Sequence, residues 1–237
     1  MTSSLPIYEI IPEVKKKISS HNSMVLQAPP GAGKTTVVPL ELLKEPFLKN
    51  RKIIMLEPRR LAARAAANRM ASILGEKVGE TIGYRVRMET KVGPNTKIEV
   101  VTEGILTRQL QSDPELKNIG LVIFDEFHER SIEADLGLAL CLDIQEGLRD
   151  DLKLIIMSAT LDGDRVSKLM NNAPIITSQG QAFPVEKRFL PRKPRERIEQ
   201  AMTSAILKAL NEDKGSILAF LPGAGEIERT KKLLEEK

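Results

Sequence analysis

At 237 residues, 41% apolar and 29% charged, the chain has a globular composition and the length for one large domain or one and a half. It carries no apolar run of about eighteen residues and no N-terminal stretch of signal-peptide type, so a soluble, non-secreted, cytoplasmic protein with no membrane partner is expected. The net charge of +4 is compatible with a polyanionic partner without demanding one, and Cys141 with two histidines builds no metal-ligand cluster.

The first predicted strand, residues 24–27, runs into Ala28-Pro29-Pro30-Gly31-Ala32-Gly33-Lys34-Thr35-Thr36. This segment fits the pattern G-x-x-x-x-G-K-[ST], except that Ala28 takes the place of the first glycine. Gly31 and Gly33 allow a tight turn whose N–H groups converge on phosphate oxygens. Lys34 brings a charge for the β- and γ-phosphates, and the Thr35 hydroxyl is a hard oxygen ligand for Mg2+. A helix opening near Lys34 adds its positive dipole end. The chemistry is that of a nucleoside triphosphate site.

Further strands are predicted over residues 53–57, 81–87, 98–102, 121–124 and 154–157. Between them, 61–74 reads as an alanine-rich helix stopped by Gly75, with further helices over 102–111 and 132–145. Such alternation predicts an α/β fold with a mostly parallel sheet flanked by helices. Ligands gather at the carboxyl ends of the strands in a sheet of this kind. There the chain places the phosphate loop, Glu57-Pro58-Arg59-Arg60, Thr102-Glu103-Gly104, Asp125-Glu126-Phe127-His128 and Ser158-Ala159-Thr160. Asp125 and Glu126, directly after an apolar strand, have the layout of a magnesium-binding and water-activating pair. Cys141 sits in an apolar stretch and is expected to be buried and inert. His21 reads as a loop residue with no partner in view, and the arginines of 83–87 as surface charge.

From Gln181 the texture changes. Residues 183–190 read as an extended crossing segment, followed by the basic, proline-punctuated linker Pro191-Arg192-Lys193-Pro194-Arg195. A helix over 198–210, a strand over 216–220 and a charged helix over 226–237 then open a new unit, too short for a second domain of this type. The expectation is one complete domain over residues 1–180 and, over 181–237, a linker with the beginning of another domain, truncated.

Taken in order, Gly31-Ala32-Gly33-Lys34-Thr35-Thr36, Glu57-Pro58-Arg59-Arg60-Leu61-Ala62-Ala63, Gly83-Tyr84-Arg85-Val86-Arg87, Thr102-Glu103-Gly104-Ile105-Leu106, Asp125-Glu126-Phe127-His128-Glu129-Arg130 and Ser158-Ala159-Thr160 resemble the DEAH-box group of superfamily 2 helicases. Phe127 and the segment Phe220-Leu221-Pro222-Gly223-Ala224-Gly225-Glu226-Ile227 are most similar to the bacterial HrpB-type ATP-dependent helicases. The resemblance implies an RecA-like P-loop domain followed by the start of a second RecA-like domain. ATP and Mg2+ would bind between the two domains, with single-stranded RNA or DNA, RNA favoured, lying across both. By motif, Pro30, Gly31, Ala32, Gly33, Lys34, Thr35 and Thr36 would cradle the nucleotide, Thr35 and Asp125 would hold the metal, and Glu126 would activate water. His128 would couple the nucleotide site to the second domain. Arg69 would stack on the base, Arg59, Arg60, Thr102 and Glu103 would line the nucleic-acid path, and Ser158 and Thr160 would relay the hydrolysis state.

Two departures stand out. Ala28 replaces a loop glycine, and Phe127 replaces the usual Ala; Phe127 is expected to stay clear of the chemistry because neighbouring side chains on an extended segment point apart. The rest of the second RecA-like domain and the C-terminal domains are expected beyond Lys237, with the arginines that complete the ATP site. Such an arginine is worth about 10³ to 10⁵ in rate, so the fragment is expected to bind nucleotide yet turn it over poorly. An NTPase remodelling another partner would leave Arg59, Arg60, Thr102 and Glu103 unused. A non-catalytic nucleotide-dependent scaffold would not need Lys34, Asp125 and Glu126 all intact.

Overall fold

In the computed structural model, residues 5–159, 163–179, 185–191 and 195–236 are described. Helix α1 (Ile11–Ser20) leads into strand β1 (Ser23–Gln27), and the phosphate loop then opens α2 (Lys34–Leu42). Next come β2 (Lys52–Leu56), α3 (Arg60–Leu74), the hairpin β3 (Ile82–Val86) and β4 (Glu89–Lys91), β5 (Ile98–Val101) and α4 (Glu103–Ser112). The remaining sheet elements are β6 (Ile119–Phe124), α5 (Ile132–Gly147), β7 (Lys153–Ser158), α6 (Gly163–Leu169) and β8 (Ile175–Thr177).

The eight strands form one sheet in the order β4-β3-β5-β2-β6-β7-β1-β8, parallel throughout except for the β3–β4 pair. Strands buried on both faces need apolar side chains at successive positions, and β6 and β7 are buried at every residue. Ile53 and Met55 of β2 pack with α1, α2 and α3 through Val14, Val38 and Met70. Ile54 and Leu56 pack on the other face with α4 and α5 through Leu106 and Leu138. Helix α3 stops where the sequence predicts: Gly75 adopts φ 72°, and its N–H reaches back to the carbonyls of Ala71 and Ser72.

Polar clusters fix the other end of the sheet. Arg149 donates to the carbonyls of Glu115, Leu116 and Ile119 at 2.9, 2.9 and 3.1 Å, and to Asp151 at 2.6 Å. Asp151 also pairs with Arg51 at 2.6 Å. Buried Glu99 accepts from Lys52 at 2.6 Å and Arg85 at 2.8 Å, so Arg85 is an ion-pair partner and not loose surface charge. His21 also has partners, since Nδ1 lies 3.1 Å from the Lys17 carbonyl and its own carbonyl accepts from Lys153 at 3.0 Å.

The chain divides into two compact units, Met1–Ala182 and Phe183–Lys237. In the second, α7 (Ile198–Glu212) and α8 (Ala224–Glu235) pack together, with Arg229 bonded to Glu199 at 2.6 Å. The strand expected over 216–220 does not form. Leu218 and Phe220 are each 80% exposed, and no described segment of this unit offers an edge that would satisfy the strand's backbone groups. Residues 185–191 have no regular structure; residues 183 and 184 of the expected crossing segment, and 192–194 of the basic linker, lie outside the described residues. No described helix is long and apolar enough to cross a membrane.

Candidate nucleotide and nucleic-acid site

The phosphate loop is pinned at both ends. The N–H of Ala28 donates to the Ser158 carbonyl at the end of β7 (3.0 Å), and the Ala32 carbonyl accepts from Ile7 (3.1 Å). Gly33 has φ 98°, a backbone conformation that favours glycine, and a Cβ there would press on Leu5 and Ile7. Lys34 begins α2 directly after it, so the unpaired N–H groups of that helix end open onto the loop. Its ammonium is buried and pairs with Glu126 Oε1 at 2.9 Å.

Asp125 and Glu126 arrive on β6, the strand between β2 and β7. Asp125 is 4% exposed; its Oδ2 accepts from Thr35 Oγ1 at 2.5 Å and its Oδ1 from the Glu126 N–H at 2.8 Å. Two hard oxygen donors thus converge beside the phosphate loop. That donor set fits Mg2+, which binds through one or two protein oxygens and completes its shell with water and substrate phosphates. Among the described residues no cluster of three or more His, Cys, Asp or Glu forms a cage of protein ligands alone.

Glu126 adopts φ 49°, ψ 34°, a left-handed conformation that costs a non-glycine residue roughly 1–2 kcal/mol. It opens a 3-10 turn, Phe127–Glu129, closed by the Glu129 N–H donating to the Glu126 carbonyl at 2.9 Å. His128 Nδ1 lies 3.3 Å from Glu126 Oε2 and 3.4 Å from the Ala159 N–H. Unprotonated, that nitrogen accepts from Ala159; protonated, it donates to Glu126, so the two contacts compete. The segment after Asp125 is therefore not extended, which corrects the argument for Phe127. Phe127 is buried, edge-on to Phe124 at 6.1 Å, with the Arg130 guanidinium 5.4 Å from its ring centre.

One residue in the site was read only as a strand end. Glu57 is 2% exposed beside Asp125. Burial pushes both carboxyls up, but Thr35, Lys34 and the Glu126 N–H oppose this at Asp125. At Glu57 the adjacent Asp125 adds to the rise, only Lys34 opposes it, and the carboxyl is pushed up to about 9. Its sequence signal was a carboxylate at the end of an apolar strand, just as at Asp125.

A cleft of about 460 Å3 opens beside these groups, lined by Thr35, Thr36, Glu126 and, from the β2–α3 side, Arg59 and Arg69 over a floor of small residues, Ala62, Ala65 and Ala66. Arg59 thus faces the nucleotide side of the rim and pairs with Glu129 at 3.1 Å. Arg60 is exposed at the start of α3, and Thr102 and Glu103 begin α4 at the end of β5; none of the three lines the cleft. Pro30 and Gly31 are exposed on the loop, and Ser158 ends β7. Thr160 lies outside the described residues. Cys141 is fully buried, and burial pushes its thiol up to about 12.

A phosphate loop between β1 and α2 of a mostly parallel sheet, facing adjacent acids at the end of β6, defines a P-loop domain of the RecA-like kind. The DEAD/DEAH box helicase model matches residues 8–169, and the chain belongs to that family. It is 54% identical over 235 residues to the ATP-dependent RNA helicase HrpB of Escherichia coli, covering 99% of this chain and 29% of that protein. It is 39% identical to the ATP-dependent RNA helicase HrpA homolog of Haemophilus influenzae, covering 99% of this chain and 18% of that one. The crystal structure of the Escherichia coli DEAH/RHA helicase HrpB superimposes with a TM-score of 0.92 over 98% of this chain and 30% of that one. The chain therefore spans less than a third of these relatives.

Proposed function

We propose that the chain is the ATP-hydrolysing motor module of an ATP-dependent helicase that moves along single-stranded nucleic acid, RNA in preference to DNA. The convergence of Lys34, Thr35, Asp125 and Glu126 within 2.5–2.9 Å contacts beside the phosphate loop carries this reading. Pro30 to Thr36 wrap the phosphates, with Lys34 neutralising the charge that builds on the transferred group. Thr35 and Asp125 would hold Mg2+, which would supply positive charge to offset that of the phosphates. Glu126 orients the attacking water and takes its proton, and the αL turn fixes where its carboxylate points. His128, between Glu126 and Ala159, passes the state of that carboxylate towards Ser158 and Thr160. Arg69 lies over the base, and Arg59, Arg60, Thr102 and Glu103 hold the nucleic-acid strand.

Residues 1–180 form the first RecA-like domain, and 181–237 a linker and the beginning of the second. The chain matches under a third of each relative's length, so unwinding is assigned to a protein of the relatives' length. The test is steady-state ATPase of a chain of the relatives' length with single-stranded RNA, single-stranded DNA or neither. Stimulation by RNA above DNA is expected. Turnover indifferent to both would remove the nucleic-acid reading and leave a plain NTPase.

A further inference from the structure

The Arg59–Glu129 pair joins the two ends of the site. Arg59 follows β2 and Glu129 follows β6, and these strands are hydrogen-bonded neighbours, so their carboxyl ends bring together residues distant in sequence. The Arg59 side chain is 72% exposed while paired with Glu129 through one guanidinium nitrogen. Glu129 is also the last residue of the turn that carries Glu126, and its own N–H closes that turn on the Glu126 carbonyl. The turn is bounded by two non-glycine residues at positive φ, Glu126 at 49° and Arg130 at 48°. Strained residues persist only where their surroundings hold them, so loosening one contact shifts the set.

We infer that Glu129 is a positioning residue through which capture of a nucleic-acid phosphate by Arg59 is transmitted to Glu126. A phosphate oxygen and the Glu129 carboxylate compete for the same guanidinium, since both are anionic acceptors matched to its fork of donors. When the phosphate wins, Glu129 loses its partner and the turn it closes relaxes around Glu126. An exposed ion pair is weak, which suits a contact made and broken in every cycle. Its strength sets the scale of the coupling at about two- to fivefold. The inference rests on the reading of Arg59 as a phosphate-binding group.

The test uses a chain of the relatives' length as parent, Glu129→Gln, Arg59→Ala and the double variant. Affinity for a single-stranded RNA is measured by fluorescence anisotropy, and ATP turnover with and without that RNA. Glu129→Gln is expected to tighten RNA binding about two- to fivefold, because Arg59 no longer has a competing carboxylate, and to lower the ratio of RNA-stimulated to basal turnover by a similar factor. The KM for ATP should stay unchanged. In the Arg59→Ala background the same substitution should change neither affinity nor ratio. A merely structural Glu129 would lower the melting temperature and leave the ratio alone, which overturns the inference, as does an effect that persists undiminished without Arg59. If Arg59→Ala itself leaves RNA affinity unchanged, the reading of Arg59 falls and the inference with it. Normal loss in Arg59→Ala beside an inert Glu129→Gln sinks the inference alone.

Discussion

Replacing Glu126 by Gln tests the chemistry with almost no change of shape. The amide keeps the length and the left-handed backbone, and its oxygen still accepts from Lys34, which donates to Oε1 at 2.9 Å. Two things are lost: the negative charge and the ability to take a proton. Loss of the base should lower turnover by about 10²- to 10⁴-fold, the usual contribution of positioned general-base catalysis. Nucleotide binding should survive, because Lys34, Thr35 and the loop N–H groups are untouched and one negative charge near the phosphates is gone. Stability should also survive, since Glu126 is one of three carboxyls clustered with Glu57 and Asp125, and removing its charge relieves repulsion. Single-turnover phosphate release, titration with a fluorescent ATP analogue and thermal melting report the three quantities separately. Turnover within about threefold of the parent would refute the assignment, because no catalytic base contributes so little.

Lys34→Ala should weaken nucleotide binding itself and leave Glu126 without its cationic partner; analogue titration decides, and an unchanged Kd would contradict the phosphate cradle. Arg149→Ala deprives three carbonyls and Asp151 of their donor, at a cost of about 3 kcal/mol, seen as a melting temperature lower by roughly 10 °C. A loss below about 0.5 kcal/mol would mean that water replaces the guanidinium. At Glu99 burial pushes the carboxyl up, but hydrogen bonds from Lys52 and Arg85 outweigh it and hold the group below the ordinary glutamate range. A depressed folded-state pKa gives stability that is present above the unfolded pKa and lost as pH falls through the folded one. Melts of parent and Glu99→Gln should therefore differ by a constant amount from pH 8 to about pH 6 and converge below about pH 4.5. A difference that grows in acid would reverse the sign and remove the argument.

The parallel core was legible because strands buried on both faces need apolar side chains at successive positions. Each run that was read as a strand in the first unit is one, within a residue or two. Helix α3 was legible at its end because Gly75 alone there tolerates the αL stop. The short elements were not. Strand β8 pairs over three residues and β4 is a three-residue edge, too brief for any period to emerge. The strand expected over 216–220 has the right composition, but a strand is defined by its neighbour, and the described residues of the unit offer none. The convergence of Lys34, Thr35, Asp125 and Glu126 was readable from spacing, since each follows directly from a strand or a loop. The partnership of Arg59 with Glu129 was not, because it depends on β2 and β6 being adjacent, a fact of strand order that no local pattern carries.

Strand order also explains why the turn after Asp125 sits where it does. Strand β6 has β2 on one side and β7 on the other, so the residues leaving it lie between Arg59 and Ser158. Contacts run from the turn in both directions: Glu129 to Arg59, and His128 to the Ala159 N–H. Glu126 at its start contacts the phosphate-loop lysine. A helix beginning directly after Asp125 would carry successive side chains about 100° apart and aim them at different neighbours. The short 3-10 turn, entered and left through residues at positive φ, presents Glu126, His128 and Glu129 to three separate partners while Phe127 packs beneath on Phe124. The backbone strain at Glu126 and Arg130 is thus the cost of reaching three partners from four consecutive residues, and the buried Phe127 ring is what holds that strained turn down.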